Sequence, residues 1–413
     1  MKYCDAISHD TEELLRRIEA KKKTLIQLYD RQEEFLTNAQ KNGRKVFGYM
    51  CSYVPEEILF SADIIPIRLL GHLGALGKAE EHFQPFVCRL IRSNLDKALR
   101  EELKFLDGVV IPYTCDGMRM LYDTWAENVR DRFVFLLDIP SCLNSATNVE
   151  YYHTAQKEFI EAIENYAGHH IDVERLRNTI LLYNKYRELI KAFYFLRQNY
   201  YLPIKGSEAL KIYLAGLVSP KDDYVESLET LVDCLQRWTT IVSEDSVRDP
   251  VRLHISGSVV VDPSYFEVME EAGARIVSDD LCTGTRYFWD LVDESGDPFQ
   301  ALEQRYLLTG SRCPSKYPTT LSRINFLVER VKESKADGVI FILEKYCDPH
   351  LFDFPGLERT LKSLSMPNLV LESELVASGK EQLRTRIEAF LEVIQKGEKL
   401  WGRPLELTRR EES

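Results

Sequence analysis

One short phrase occurs twice in the 413 residues and constrains the fold more than any other feature. Asp107-Gly108-Val109-Val110 runs into Cys115-Asp116, and Asp337-Gly338-Val339-Ile340 runs into Cys347-Asp348. Each time an apolar, β-branched run ends in a cysteine followed by an aspartate. Each time another cysteine, Cys88 or Cys313, stands one helix earlier. Two similar α/β halves, each delivering cysteines from the end of a buried strand, read as a thiolate cage for a metal centre at their join.

The rest of the chain fits that frame. Residues 11–42 read as one amphipathic helix stopped by Gly43, within an N-terminal segment 1–44. Over 45–148, strands KVFGYM, IIPIRLL, DGVVIPY and FVFLLDIP alternate with helices, one of them opened by Pro55-Glu56-Glu57. Residues 149–248 turn helical, with Asp172 and Ser207 as expected N-caps. Its aromatic stripe over 193–201 reads as helix packing. Over 249–413 strands VRLHISG, ARIVSDD, DGVIFIL and MPNLVLE recur in the same order, and Gly397 closes the last helix. The expected class is α/β. It comprises two flavodoxin-like, doubly wound parallel-sheet domains related by internal duplication, with an N-terminal helix and a helical connecting region.

A net charge of −12 argues against a nucleic-acid partner, which calls for a basic face. The start, MKYCDAISHD, lacks a signal-peptide core, and no apolar run approaches the roughly 20 residues that span a bilayer. A cytoplasmic protein without membrane contact is expected.

Nine cysteines are many for a reducing compartment. Cys4, Cys142 and Cys234 read as terminal or small buried residues. The other six stand at element ends. Cys51, Cys115, Cys282 and Cys347 follow strands, on the rim where open α/β sheets bind ligands. Cys88 and Cys313 precede helices, whose positive ends favour thiolate. The set splits into Cys51, Cys88 and Cys115 from the first unit and Cys282, Cys313 and Cys347 from the second. An iron–sulfur cluster is the first reading, buried structural cysteines the second. Zinc comes third, because no C-x2-C pair occurs. A single reactive cysteine with a distant histidine would leave six cysteines at element ends unexplained. No G-x-x-x-x-G-K-[ST] appears; Ala377-Ser378-Gly379-Lys380 is too short a match, and Gly71, Gly74 and Gly77 read as a flexible turn. No nucleotide site is expected. Weaker candidates are Glu56 as a base near Cys51 and Arg286 facing the centre or a CoA phosphate. Against these stand plainer roles, a first-turn glutamate and a surface ion pair. Asp116 and Asp348 read as N-caps ahead of hydrogen-bond acceptors behind the cysteines. His350 reads as a neighbour of Cys347 or exposed, and Tyr53 as pocket lining or core.

As a group these residues resemble the 2-hydroxyacyl-CoA dehydratase and benzoyl-CoA reductase superfamily. The likeness is carried by Cys51-Ser52-Tyr53-Val54-Pro55-Glu56-Glu57, by Phe86-Val87-Cys88-Arg89-Leu90-Ile91-Arg92-Ser93, and by Leu106-Asp107-Gly108 with Cys115-Asp116. Asp279-Asp280-Leu281-Cys282-Thr283-Gly284-Thr285-Arg286 and Tyr346-Cys347-Asp348-Pro349 complete it. It runs from about residue 45 to the end. The resemblance implies an oxygen-sensitive iron–sulfur enzyme fed low-potential electrons by a separate ATP-hydrolysing activator with its own 4Fe–4S cluster. By resemblance, Cys88, Cys115 and Cys347 hold one 4Fe–4S cubane, uniting the two halves. All six cysteines together resemble the double-cubane branch, a homodimeric reductase of a small substrate. The alternatives are one subunit of an (R)-2-hydroxyacyl-CoA dehydratase or benzoyl-CoA reductase, paired with a related chain, with a single cluster and acting on an acyl-CoA, and a non-catalytic electron carrier. The long N-terminal helix is the candidate docking element.

Overall fold

The computed structural model describes residues 9–130, 132–143, 145–199, 201–242, 250–309, 312–316, 320–375, 377 and 379–397. Two helices open the chain, α1 (His9–Asp30) and α2 (Gln32–Lys41). The single helix expected over 11–42 is thus broken at Arg31, whose φ of −115° and ψ of 21° leave the helical region. Arg31 instead forks onto Glu34. The two helices serve different bodies. Leu14, Ile18 and Leu25 of α1 join the core of the helical region, whereas Leu36 of α2 joins the core of the first sheet.

The first α/β unit follows as β1 (Lys45–Tyr49), α3 (Glu56–Ser61), β2 (Ile64–Arg68), α4 (Arg89–Leu99), β3 (Gly108–Tyr113), α5 (Asp116–Asn128) and β4 (Phe133–Asp138). The helical region is α6 (Ala146–Ala167), α7 (Val173–Leu196), α8 (Gly206–Val218) and α9 (Lys221–Ile241). Asp172 caps α7, accepting from the Glu174 N–H at 3.1 Å. Ser207 is no N-cap. It lies inside the first turn of α8, and its hydroxyl goes to Glu270 at 2.8 Å.

The second unit is β5 (Val251–Gly257), α10 (Ser264–Glu271), β6 (Ala274–Asp280), α11 (Thr285–Phe288) and α12 (Pro298–Gln304). A π-helical turn, Arg305–Thr309, precedes α13 (Thr320–Glu333), β7 (Gly338–Glu344), α14 (Asp348–Ser363), β8 (Asn368–Ser373) and α15 (Lys380–Lys396). Gly379 and Lys380 form the entry to α15.

Both sheets are parallel, with orders β2-β1-β3-β4 and β6-β5-β7-β8. The topology is the same twice, and it is flavodoxin-like. Helices cover both faces, so β1, β2, β3 and β7 read as apolar runs buried almost throughout. Pro66, which cannot donate to a ladder, is confined to the edge strand β2.

The repeated Asp-Gly has a structural cause. Asp107 donates its N–H to the Val46 carbonyl at 2.8 Å, and its carboxylate accepts from the Val46 N–H at 3.0 Å. Asp337 does the same to Arg252, at 2.7 and 2.9 Å. The glycine that follows leaves room for packing: a Cβ on Gly108 would lie 2.6 Å from the Phe47 ring, and one on Gly338 2.6 Å from Ile394. The phrase therefore pins the start of each central strand, far from the cysteine at its other end.

Candidate metal centre

Six cysteines reach one place. Cys51, Cys88, Cys115, Cys282, Cys313 and Cys347 all line a narrow chamber of about 80 Å³ at the carboxyl ends of the two sheets. Cys51 follows β1, with φ at +62°, a left-handed conformation that a non-glycine residue adopts at a cost. Cys88, Cys115 and Cys347 are themselves the N-caps of α4, α5 and α14. Asp116 and Asp348 are therefore the first helical residues and not the expected caps. Both are exposed, and their charge suits the positive helix end. Cys282 follows β6, with its N–H on the Ser258 carbonyl at 2.8 Å. Cys313 sits in the segment ahead of α13 and is buried.

The six form two neighbourhoods. Cys88, Cys115 and Cys347 also line a wider outer cleft of about 710 Å³ that shares walls with the chamber. Cys51, Cys282 and Cys313 line the chamber alone. Electrostatic influence runs the same way. Cys88 feels Cys115, and Cys347 feels Cys88 and Cys115. Cys51 feels Cys313 and Cys282. Cys115 to Cys313 and Cys347 to Cys282 link the two groups. Each neighbourhood draws on both units, unlike the unit-by-unit split.

Burial is the largest influence on the thiols of Cys51, Cys88, Cys115, Cys282 and Cys347. It pushes Cys51 and Cys88 up to about 12 and raises Cys115, Cys282 and Cys347. Without a cation they are neutral thiols, and a bound metal is what removes such a proton. The donor set fits a thiolate-held group: six sulfurs line the chamber, with Glu344 the one carboxyl and His350 the one imidazole among its described walls. Among the described residues, no three Cys, His, Asp or Glu side chains converge closely enough for a single ion. The sulfurs surround a space instead.

Several polar groups stand at the chamber. Arg68, at the end of β2, donates to the Cys282 carbonyl at 2.7 Å. Arg286 is buried and not at the surface. It donates to Cys282 Sγ at 3.2 Å and to the Gly257 carbonyl, and pairs with Asp280 at 3.2 Å. His350 is buried with Nε2 3.9 Å from Cys282 Sγ, and burial holds it well below the usual imidazole range. Lys316 donates to the Ile139 carbonyl at 3.0 Å, and burial lowers it to about 8. The Glu344 carboxyl is raised by burial to about 7, and its Oε1 has no hydrogen-bond partner. Ser258 Oγ, also on the chamber wall, has none either. Glu344 and Thr114 stand seven residues after Asp337 and Asp107, so the repeat itself points to them.

Glu56 does not line the chamber. It is buried, accepting from Lys221 at 3.1 Å and from the Tyr287 hydroxyl. Tyr53 is core, with the Lys316 ammonium 5.5 Å from its ring. Cys234 is buried in α9, Cys142 is half-buried, and Cys4 lies outside the described residues. The segment Gly71 to Gly77 is pinned to α4, with Gly71 N–H on Asn94 and Gly77 N–H on Asp96, each at 3.0 Å.

Aromatic side chains rim the outer cleft. Phe352 is 85% exposed and Phe86 63%, with Tyr346 and Met120 also open to solvent. Its described walls carry the carboxylates of Asp116, Asp348 and Asp353, and no lysine or arginine. Among the described residues no helix is long and apolar enough to cross a membrane.

Comparison with known proteins agrees with the resemblance. The chain is 28% identical over 364 residues to a benzoyl-CoA reductase subunit of Thauera aromatica, covering 87% of this chain and 92% of that protein. It is 25% identical over 359 residues to the (R)-phenyllactyl-CoA dehydratase beta subunit of Clostridium sporogenes, covering 87% and 94%. To the (R)-2-hydroxyglutaryl-CoA dehydratase beta subunit of Acidaminococcus fermentans it is 26% identical over 395 residues, covering 94% and 99%. Residues 51–394, which include all six chamber cysteines and every strand of the two sheets but β1, match the model of one family, and the chain belongs to it: 2-hydroxyglutaryl-CoA dehydratase, D-component.

Proposed function

We propose that the chain is an iron–sulfur reductase subunit of this family, holding a double-cubane cluster on six thiolates and receiving low-potential electrons from an ATP-hydrolysing activator. The observation that carries the proposal is the chamber that all six cysteines line, divided into two groups of three. When bound, such a group supplies one-electron chemistry at low potential.

The chain's own residues supply the rest. Cys88, Cys115 and Cys347 present their sulfurs to the outer cleft, and Cys51, Cys282 and Cys313 hold the inner end. Three helix N-termini place backbone N–H groups beside the outer triad and favour negative charge there. The Cys282 sulfur is held by the Arg286 hydrogen bond. Apolar walls, including Leu90, Ile91, Met118 and Val259, limit water around the sulfurs. The aromatic cleft is the route by which a small substrate reaches the outer triad.

A second reading is one subunit of a dehydratase or benzoyl-CoA-type reductase, with a single 4Fe–4S cluster on Cys88, Cys115 and Cys347 and a paralogous partner chain. It is favoured by the relatives, each of which is named as one subunit of its enzyme. Iron and sulfide per chain after anaerobic purification separate the two. About eight irons support the double cubane, about four the single cluster, and none in folded protein would sink both. Turnover with an activator and ATP then tests for an enzyme.

A further inference from the structure

We propose that Arg68 makes the two cysteine triads electrostatically unequal, favouring added negative charge at the inner triad. The inference rests on the six-thiolate reading above.

Arg68 is buried and its guanidinium donates to the Cys282 carbonyl. It makes no ion pair among the described residues. Its charge acts on the sulfurs of both Cys51 and Cys282, in the direction that favours thiolate. The neighbouring cations differ. Arg286 and Arg323 share Asp280, and Arg323 also pairs with Asp353 at 2.5 Å, so two guanidinium groups face two carboxylates. That network gives Cys282 a hydrogen bond and the charge of Arg286, which also favours thiolate there. Arg68 is the one cationic side chain among the chamber's described walls, and it does not line the outer cleft.

The outer triad has a different setting. Arg92 favours thiolate at Cys88, and the buried Glu344 opposes it. In a poorly solvated chamber, one unpaired guanidinium favours each added unit of negative charge nearby far more than it would in water. Arg68 thus acts on whatever group the inner thiolates hold, without touching substrate. It is a positioning residue in the electrostatic sense.

The test uses the full chain, loaded anaerobically, with iron counted and reduction followed by electron paramagnetic resonance. The inner signal is the one lost in Cys313→Ala. Arg68→Gln is expected to lower the potential of that signal by at least a tenfold change in its one-electron equilibrium, about 59 mV, and to move the other signal less. Arg68→Lys, which keeps the charge, should recover most of the shift. If Arg68→Gln does not fold, Arg68→Met reads the same effect. A chain with both clusters whose two signals stay unmoved, or move alike, overturns the proposal and leaves the six-thiolate reading standing. A chain with one cluster, lost in Cys313→Ala, overturns that reading alone, and the Arg68 shift is then read on the one signal. A chain with one cluster, lost in Cys88→Ala but kept in Cys313→Ala, overturns both.

Discussion

His254 shows how one buried side chain sets a pH limit on the fold. It is fully buried in β5, with Nδ1 2.7 Å from the Ser278 hydroxyl. Burial holds it down at about 3; Asp280 opposes that, while Arg197, Arg330 and Arg323 add to it. The unfolded chain binds a proton there near pH 6.5 and the folded chain does not, so stability falls as pH drops below 6.5 toward 3. By pH 5 the loss from this residue is about 2 kcal/mol. Urea denaturation at pH 7 and pH 5 should show that loss, and His254→Gln should remove about that much of it. An unchanged difference between the two pH values in the variant would refute the assignment. At this scale the chain was legible where residues carry chemistry of their own. Six cysteines at element ends announced themselves. Arg68 and Ser258 did not, because a polar residue at the end of a strand looks like any other until the sheets bring the ends together, and Glu344 was marked only by its place in the repeat.

At the scale of elements, the eight strands were legible because parallel strands buried on both faces are written as apolar runs. The helix Asp348–Ser363 was marked only by the cap expected at Asp348, since Pro355 lies inside it and polar residues interrupt its apolar stripe. The break at Arg31 was equally silent: both halves are amphipathic, and they differ only in which core they join. The repeat was legible, and its register adds what the sequence order hid. Phe47 pairs with Gly108 as Leu253 pairs with Gly338, so Cys51 corresponds to Gly257. A Cβ at Gly257 would lie 2.2 Å from the Ile342 carbonyl oxygen. No cysteine fits there, and the second unit delivers its third thiol, Cys282, from β6 instead. The shared Asp107 and Asp337 clamps give a prediction at this scale. Asp107→Ala should leave the Val46 N–H without its carboxylate and cost about 1–3 kcal/mol. Asp337→Ala should cost a similar amount through Arg252. A loss confined to one of the two, measured by thermal or urea unfolding, would contradict their equivalence.

Across the whole molecule, the two units are held around the chamber by the first turn of α3. Glu56 takes Lys221 from α9 and Tyr287 from the second unit. Glu57 takes Arg187 from α7 at 2.5 Å and the Tyr306 hydroxyl at 2.8 Å. Pro55-Glu56-Glu57 looked like an ordinary helix start because an exposed first turn would carry the same residues. The partners of Glu57 lie 130 and 249 positions away in sequence, beyond the reach of any local pattern. Burial alone would raise the Glu57 carboxyl, but Arg187, with Arg305, outweighs it and holds the group below the usual range. Glu57 therefore stabilises the fold above about pH 4.5, and that share is lost as acid protonates it below its lowered value. A buried pair is costly to break on one side only, since the survivor keeps its charge without a partner. Glu57→Gln should destabilise the chain by about 3–5 kcal/mol. The double variant Glu57→Gln with Arg187→Met should recover most of the loss, because it removes the stranded cation. If the double variant is no more stable than Glu57→Gln in urea titration, the clamp works through shape and not charge. On the six-thiolate proposal, the single variant should also release iron faster than the double, because the clamp ties α3 to the second unit on which half of those thiolates stand.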